Sequence, residues 1–145
     1  MATTTDLVNR FMGAAHATVF RLTKGRVGGK IGAHDVVLLT TTGRRTGQPR
    51  TVPLTYLPDG DRFVLIASNG GRDRHPAWYL NVTANPTVTV RLGGDTRTMR
   101  ARVATPDEKA ELWPRVVNWW KRYDGYQQKT ERDIPLVIVE EPVTG

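Results

Sequence analysis

The chain has no cysteine. That excludes a disulfide scaffold, a thiol nucleophile and any zinc or iron–sulfur centre built on thiolates. Histidine is scarce as well: His16, His34 and His75 stand far apart, so no metal site is expected. No apolar run approaches the roughly 18–20 residues that span a bilayer. The opening MATTTD lacks the basic start and apolar stretch of a secretory signal, and a cytoplasmic location is expected. Acidic residues are outnumbered, 14 against 21 Lys and Arg, for a net charge of +7. Such a balance favours anionic partners: a phosphorylated cofactor, a nucleic acid or an acidic membrane surface.

What is present suits one globular domain. A chain of 145 residues with 39% hydrophobic content can bury a real core. In residues 1–35, Val8, Phe11, Met12, Ala15, Val19 and Leu22 recur at helical spacing. An amphipathic helix is expected there, followed by a glycine-rich basic linker (GRVGGKIG). It can pack on its own domain or lie peripherally on the anionic inner face of the cell membrane. The remaining residues, 36–145, form the body of the domain.

Residues 36–53, VVLLTTTGRRTGQPRTVP, are the most informative stretch. A branched apolar run and a second extended run flank a loop bounded by Gly43 and Gly47, which predicts a hairpin. The loop carries Arg44, Arg45 and Arg50, with Thr46 between them. Guanidinium forks bond phosphate or carboxylate bidentately, so the loop is a candidate anion cradle; the alternative is a solvated basic tip.

Further extended runs are predicted over 51–57, 62–68, 87–92, 96–103 and 134–139, with turns at Pro58-Asp59-Gly60 and Gly93-Gly94-Asp95. A short helix is expected near Pro76 through Asn81, with Asp73 as candidate cap. Thr105-Pro106-Asp107-Glu108 spells a capping box. The helix it opens carries Trp113, Val117 and Trp120 as an apolar stripe, with Pro114 expected to kink or restart it. Tyr123, Asp124, Gly125 and Tyr126 interrupt that pattern and are expected to form a mobile flap. The sum is a mainly β (α+β) fold of about six mostly antiparallel strands with a few flanking helices, a small barrel.

A second candidate site lies where Ser68-Asn69-Gly70-Gly71 leads into Pro76-Ala77-Trp78-Tyr79. Backbone N–H groups at a helix start attract negative charge, and Trp78 offers either a flat face for a planar ring or simple core packing. No nucleophile elbow, metal cluster or acid/base pair stands out. A protein with anion and ring sites but no such group suits a cofactor that carries the chemistry itself.

The motifs LLTTTGRRTGQPRTVPL, LIASNGG, HPAWYLNVTANP, Tyr123-Asp124-Gly125-Tyr126 and IPLVIVEEP, in that order across residues 36–142, resemble the deazaflavin (F420)-dependent nitroreductase family. The resemblance implies a split β-barrel that binds coenzyme F420, an 8-hydroxy-5-deazaflavin with a phospholactyl-polyglutamate tail. It implies hydride transfer from the reduced cofactor to an electron-poor acceptor, a quinone, nitroaromatic or nitroimidazole. On the family pattern, Arg44, Arg45, Thr46 and Arg50 hold the phosphate and tail. Thr51, Val52, Pro53, Leu54 and Thr55 follow the cofactor as strand backbone. Ile66, Ala67, Ser68 and Asn69, with Ala77, Trp78, Tyr79, Leu80 and Asn81, flank the ring. Tyr126, Tyr123 and Ser68 close the acceptor cavity as candidate catalytic groups.

Two positions depart from the pattern. Asn69 stands where lysine is frequent, and Lys129 where a third aromatic is frequent; the second bears on the choice of acceptor. The alternatives are an FMN-binding split barrel and a basic β-barrel that binds nucleic acid. The arginine-bearing strands show no aromatic ladder, so nucleic acid is not expected.

Overall fold

The computed structural model describes residues 30–31 and 34–142. The expected N-terminal amphipathic helix lies outside them. Eight strands form one sheet: β1 (Lys30–Ile31), β2 (His34–Thr42), β3 (Pro49–Thr55), β4 (Leu57–Asp59), β5 (Arg62–Ile66), β6 (Thr87–Leu92), β7 (Asp95–Val103) and β8 (Leu136–Glu140). Among the described residues three α-helices accompany them: α1 (Ala77–Ala84), α2 (Pro106–Trp119) and α3 (Arg122–Lys129). The strand order is β1-β2-β6-β7-β8-β5-β4, with β3 also paired to β2, and every pairing is antiparallel. This is a split β-barrel. Two of the eight strands, β1 and β4, are two and three residues long and were too short to show as apolar runs.

The central strands explain the long apolar runs. In β5 and β8 successive side chains point to opposite faces, and both faces are covered. Phe63, Leu65, Val137 and Val139 join Val37, Leu39, Val88, Val90 and Met99 in the barrel interior, where Trp78 and Val82 of α1 close one side. Val64, Ile66, Leu136 and Ile138 face the other way, onto Leu112, Val116 and Tyr123 of the helices.

Several local expectations shift. The tight turn after β4 uses Gly60 and Asp61, because Asp59 pairs with Arg62; Gly60 takes a positive φ of 67°. Pro76, not Asp73, caps α1, and the helix runs on to Ala84. Asp73 instead accepts a hydrogen bond from the Thr130 hydroxyl at 2.8 Å. The capping box of α2 forms as expected: Thr105 Oγ1 accepts from the Glu108 N–H and Glu108 Oε1 from the Thr105 N–H. Its buried stripe is Leu112 and Val116, and Pro114 does not end the helix. Both Pro114 and Ala110, whose carbonyl loses its partner, are exposed, so water can replace the missing bond.

Candidate active site

The β2–β3 loop is closed by hydrogen bonds of its own backbone and of Thr46. Gly43 donates to the Gln48 carbonyl at 2.7 Å, and Gly47, with φ 75°, donates to the Gly43 carbonyl at 2.8 Å. Thr46 Oγ1 accepts from the Gln48 N–H and from Arg50. The loop is anchored across the chain by Asn81 on α1, which is buried. Asn81 Oδ1 accepts from the Arg44 backbone N–H at 3.1 Å, and its Nδ2 donates to Thr41 Oγ1 at 3.0 Å. Asn81 therefore acts on the loop.

Behind the loop, β3 pairs with β2 alone among the described strands. Its other edge leaves backbone groups available to a ligand, and such an edge also tolerates Pro53 in mid-strand. Thr51, Val52, Pro53, Leu54 and Thr55 all line one wide cleft of about 1500 Å³.

The opposite wall is the segment from Ser68 to Pro76. Its shape depends on Arg132. That guanidinium donates to the carbonyls of Ala67, Ser68 and Arg72, at 2.7 Å to Ser68 and 2.8 Å to Arg72, and meets His75 Nδ1 at 3.1 Å. Burial, then the Arg132 charge, pushes His75 below its ordinary pKa. The ring is therefore neutral at pH 7, and Nδ1 accepts the Arg132 bond. Asn69 takes φ 49°, a left-handed conformation that asparagine tolerates, and donates to the Arg74 carbonyl at 3.0 Å.

The tyrosine segment is a helix rather than a flap. Glycine at position 125 weakens helix propensity, but packing outweighs it. Tyr123 is buried between Trp119 and Trp120, and its hydroxyl shares a 2.8 Å hydrogen bond with Thr55 Oγ1. Burial pushes its phenol up, so it stays protonated. Tyr126 lies on the cleft with Arg122 Nε donating to its oxygen at 3.0 Å. The helix seats closely on the 3₁₀ turn Asn69–Gly71. A methyl group on Gly71 would stand 2.9 Å from the Tyr126 carbonyl oxygen.

The cleft thus gathers Arg44, Arg45, Thr46 and Arg50; Ile66, Ser68 and Asn69; Ala77, Trp78, Leu80 and Asn81; and Tyr123 and Tyr126. Two of the residues expected there do not line it. Ala67 is fully buried in the core, and Tyr79 turns toward His75, with ring centroids 4.6 Å apart. The cleft also includes Arg72, Arg74, Arg122 and Arg132, which sequence reading missed, and Lys129, singled out there only as a departure from the family pattern. Arg72 and Arg74 stood in plain view beside the glycine bend. Arg122 and Lys129 sit four before and three after Tyr126, a signal only once that segment is known to be helical.

Eight cationic side chains line the cleft against one carboxylate, Asp73. The ion pairs among the described residues engage other cations: Arg62, Arg97, Arg102, Lys109 and Arg115. A cleft with this surplus and with Trp78 in its wall fits a flat cofactor carrying phosphate and carboxylates. Among the described residues no cluster of three or more His, Asp or Glu could hold a metal ion.

Fold and site together define a split-barrel protein of the kind that holds a polyanionic redox cofactor. Residues 13–142 match the F420H(2)-dependent quinone reductase family, and the chain belongs to it. A Mycobacterium tuberculosis protein named F420H(2)-dependent quinone reductase Rv1261c is 43% identical over 128 residues, 86% of each chain. A solved F420-H2 dependent reductase, FDR-A, is 42% identical with a TM-score of 0.67, covering 72% of this chain and 93% of its own. The heme storage protein HutZ from Vibrio cholerae shares the fold alone, at 12% identity and a TM-score of 0.56 over 91% of this chain and 92% of its own. The protein is an F420-dependent oxidoreductase, and its cofactor is coenzyme F420. No helix among the described residues is long and apolar enough to cross a membrane.

Proposed function

We propose that this protein passes a hydride from reduced F420 to a quinone, and that electron-poor nitro compounds enter the same site. The observation that carries this reading is the wide cationic cleft that ends against a hydrogen-bonding tyrosine on α3. Arg44, Arg45 and Arg50 hold the phosphate and the carboxylate tail. The open edge of β3 would lie along the cofactor, and Ile66, Ser68, Asn69, Ala77, Trp78 and Leu80 would flank its ring. Ala67 and Tyr79 support that wall by packing, and Asn81 supports the arginine loop through Arg44.

Bound reduced F420 supplies the hydride. The chain supplies the environment. Because Arg122 donates to the Tyr126 oxygen, the phenolic hydrogen is free to donate elsewhere, toward an oxygen of the acceptor. A donor aimed at charge that develops during transfer lowers the barrier. Tyr123, held protonated by burial and tied to Thr55, fixes the base of that wall.

The test is titration of the purified full chain with oxidised F420, followed by its fluorescence, with FMN in parallel. F420H₂ oxidation is then measured with menadione and with a nitroimidazole. Tight F420 binding with menadione turnover is expected. Binding of F420 without reduction of any quinone would overturn the reading, leaving a cofactor carrier.

A further inference from the structure

On α3, Arg122, Tyr126 and Lys129 follow at helical spacing and share one stripe facing the cleft. Both cations are exposed. Arg122 uses Nε on the Tyr126 oxygen and its Cζ lies 4.2 Å from the Trp120 ring centroid; its two terminal amino groups make no hydrogen bond among the described residues. Lys129 gives one of its three donors to the Gly70 carbonyl at 3.2 Å. Asp124, the carboxylate of this helix, is held by Gln128 at 2.9 Å and does not line the cleft. The hydrogen-bonding tyrosine is thus flanked by two cations that have no carboxylate partner among the described residues. They sit on a different element from the arginine loop.

We infer that the Arg122–Tyr126–Lys129 stripe selects acceptors that carry their own negative charge beside the reducible ring, such as sulfonated or ring-ionised hydroxyquinones. The inference rests on the proposed quinone reduction and names its substrate class. A fixed anion on the acceptor meets Arg122 or Lys129 while the ring oxygen meets Tyr126, which orients the ring as well as binding it. The quinone gains a hydride from the reduced cofactor and a proton from solvent and leaves as the hydroquinone. Two electrons leave the cofactor, so the reaction balances without another reductant.

The experiment compares 1,4-naphthoquinone-2-sulfonate with menadione in wild type, Arg122→Gln and Lys129→Gln. Turnover with F420H₂ gives the ratio of kcat/KM for the two quinones. Quenching of tryptophan fluorescence, with no reduced cofactor present, gives the affinity for each quinone. Comparing variant with wild type cancels the different intrinsic reactivity of the two compounds. An exposed cation should contribute roughly 2- to 5-fold to the preference for the anion, so each variant should lower the sulfonate/menadione ratio by that factor. The double variant should lower it about 10-fold, and raising salt should shrink the wild-type preference.

An unchanged ratio in both variants, with menadione still reduced, would overturn the inference while leaving quinone reduction standing. Weaker F420 binding at an unchanged ratio would assign the stripe to the cofactor tail, which also overturns it. If no quinone is reduced, the quinone reading fails, and the quenching affinities decide the charge preference on their own.

Discussion

Gly71 is where the cofactor wall meets the tyrosine helix, and replacing it separates two costs that usually come mixed. Gly70 and Gly71 both adopt left-handed φ, 66° and 82°. Alanine at either position pays about 1 kcal/mol of backbone strain. The surroundings differ. Around Gly70 an added methyl meets nothing within 4 Å. At Gly71 it would stand 2.9 Å from the Tyr126 carbonyl oxygen, 3.1 Å from its Cα and 3.2 Å from Lys129 Cβ. Two of those three atoms are backbone, so relief requires moving the whole of α3, a packing conflict worth about 1–3 kcal/mol. Gly71→Ala should therefore cost about 2–4 kcal/mol and Gly70→Ala about 1 kcal/mol. For a domain of this size about 3 °C of Tm follows each kcal/mol, so drops of about 6–12 °C and about 3 °C are expected in thermal unfolding followed by circular dichroism. Shifting α3 also displaces Tyr126, and a displacement near 1 Å can slow a positioned reaction as much as 100-fold. Turnover of menadione should fall at least about 10-fold in Gly71→Ala. Equal melting temperatures for the two variants would refute the close seating of α3.

Arg132→Gln strips a fork from three carbonyls and His75; it should cost about 2–3 kcal/mol, seen as a Tm drop of about 6–9 °C, and Arg132→Lys should not restore it because an ammonium lacks the planar fork. Arg45→Ala and Arg50→Ala should each raise the F420 dissociation constant about 10-fold, more for longer polyglutamate tails and less at high salt, read by fluorescence titration. Tyr126→Phe should slow turnover about 10- to 100-fold at unchanged Tm, whereas Tyr123→Phe should lower Tm by about 3–6 °C because it strands the buried Thr55 hydroxyl. The Arg102 guanidinium, with the Thr105 N–H, holds Glu108 down to about 2, against an ordinary 4.5. Its stabilisation is complete above the ordinary value and is lost as pH falls from about 4.5 toward 2, so Glu108→Gln should melt lower than wild type at pH 7 and converge with it near pH 2.

Much of the scaffold was legible in one dimension because it rests on near neighbours. The capping box at Thr105 and Glu108, the Gly93-Gly94 turn between β6 and β7 and the glycine-bounded loop of Arg44 and Arg45 are settled within a few residues. The membership of Arg44, Arg50, Trp78 and Tyr126 in one cleft was expected from the resemblance, and the structure brings those residues together. The dual burial of β5 and β8 was visible only as apolar runs, since a run does not say which residue faces which layer.

Other features depend on partners far away along the chain. Tyr123 to Lys129 reads as broken because Gly125 disfavours a helix locally; the stacking of Tyr123 on Trp119 and its bond to Thr55 reverse that choice. Arg132 looks like any charged residue after a helix until the fold brings the Ala67 and Ser68 carbonyls beneath it. Asn81 reads as a cleft-lining amide, and only the fold adds that its carbonyl also ties down Arg44. The sequence by itself determined the strand alternation, the capping box at Thr105, the arginine loop and the cationic balance, all consequences of local geometry and composition. Only tertiary structure decided which cations share the cleft with Tyr126 and which are neutralised elsewhere, because ion pairing and burial depend on distances between segments that propensity does not encode.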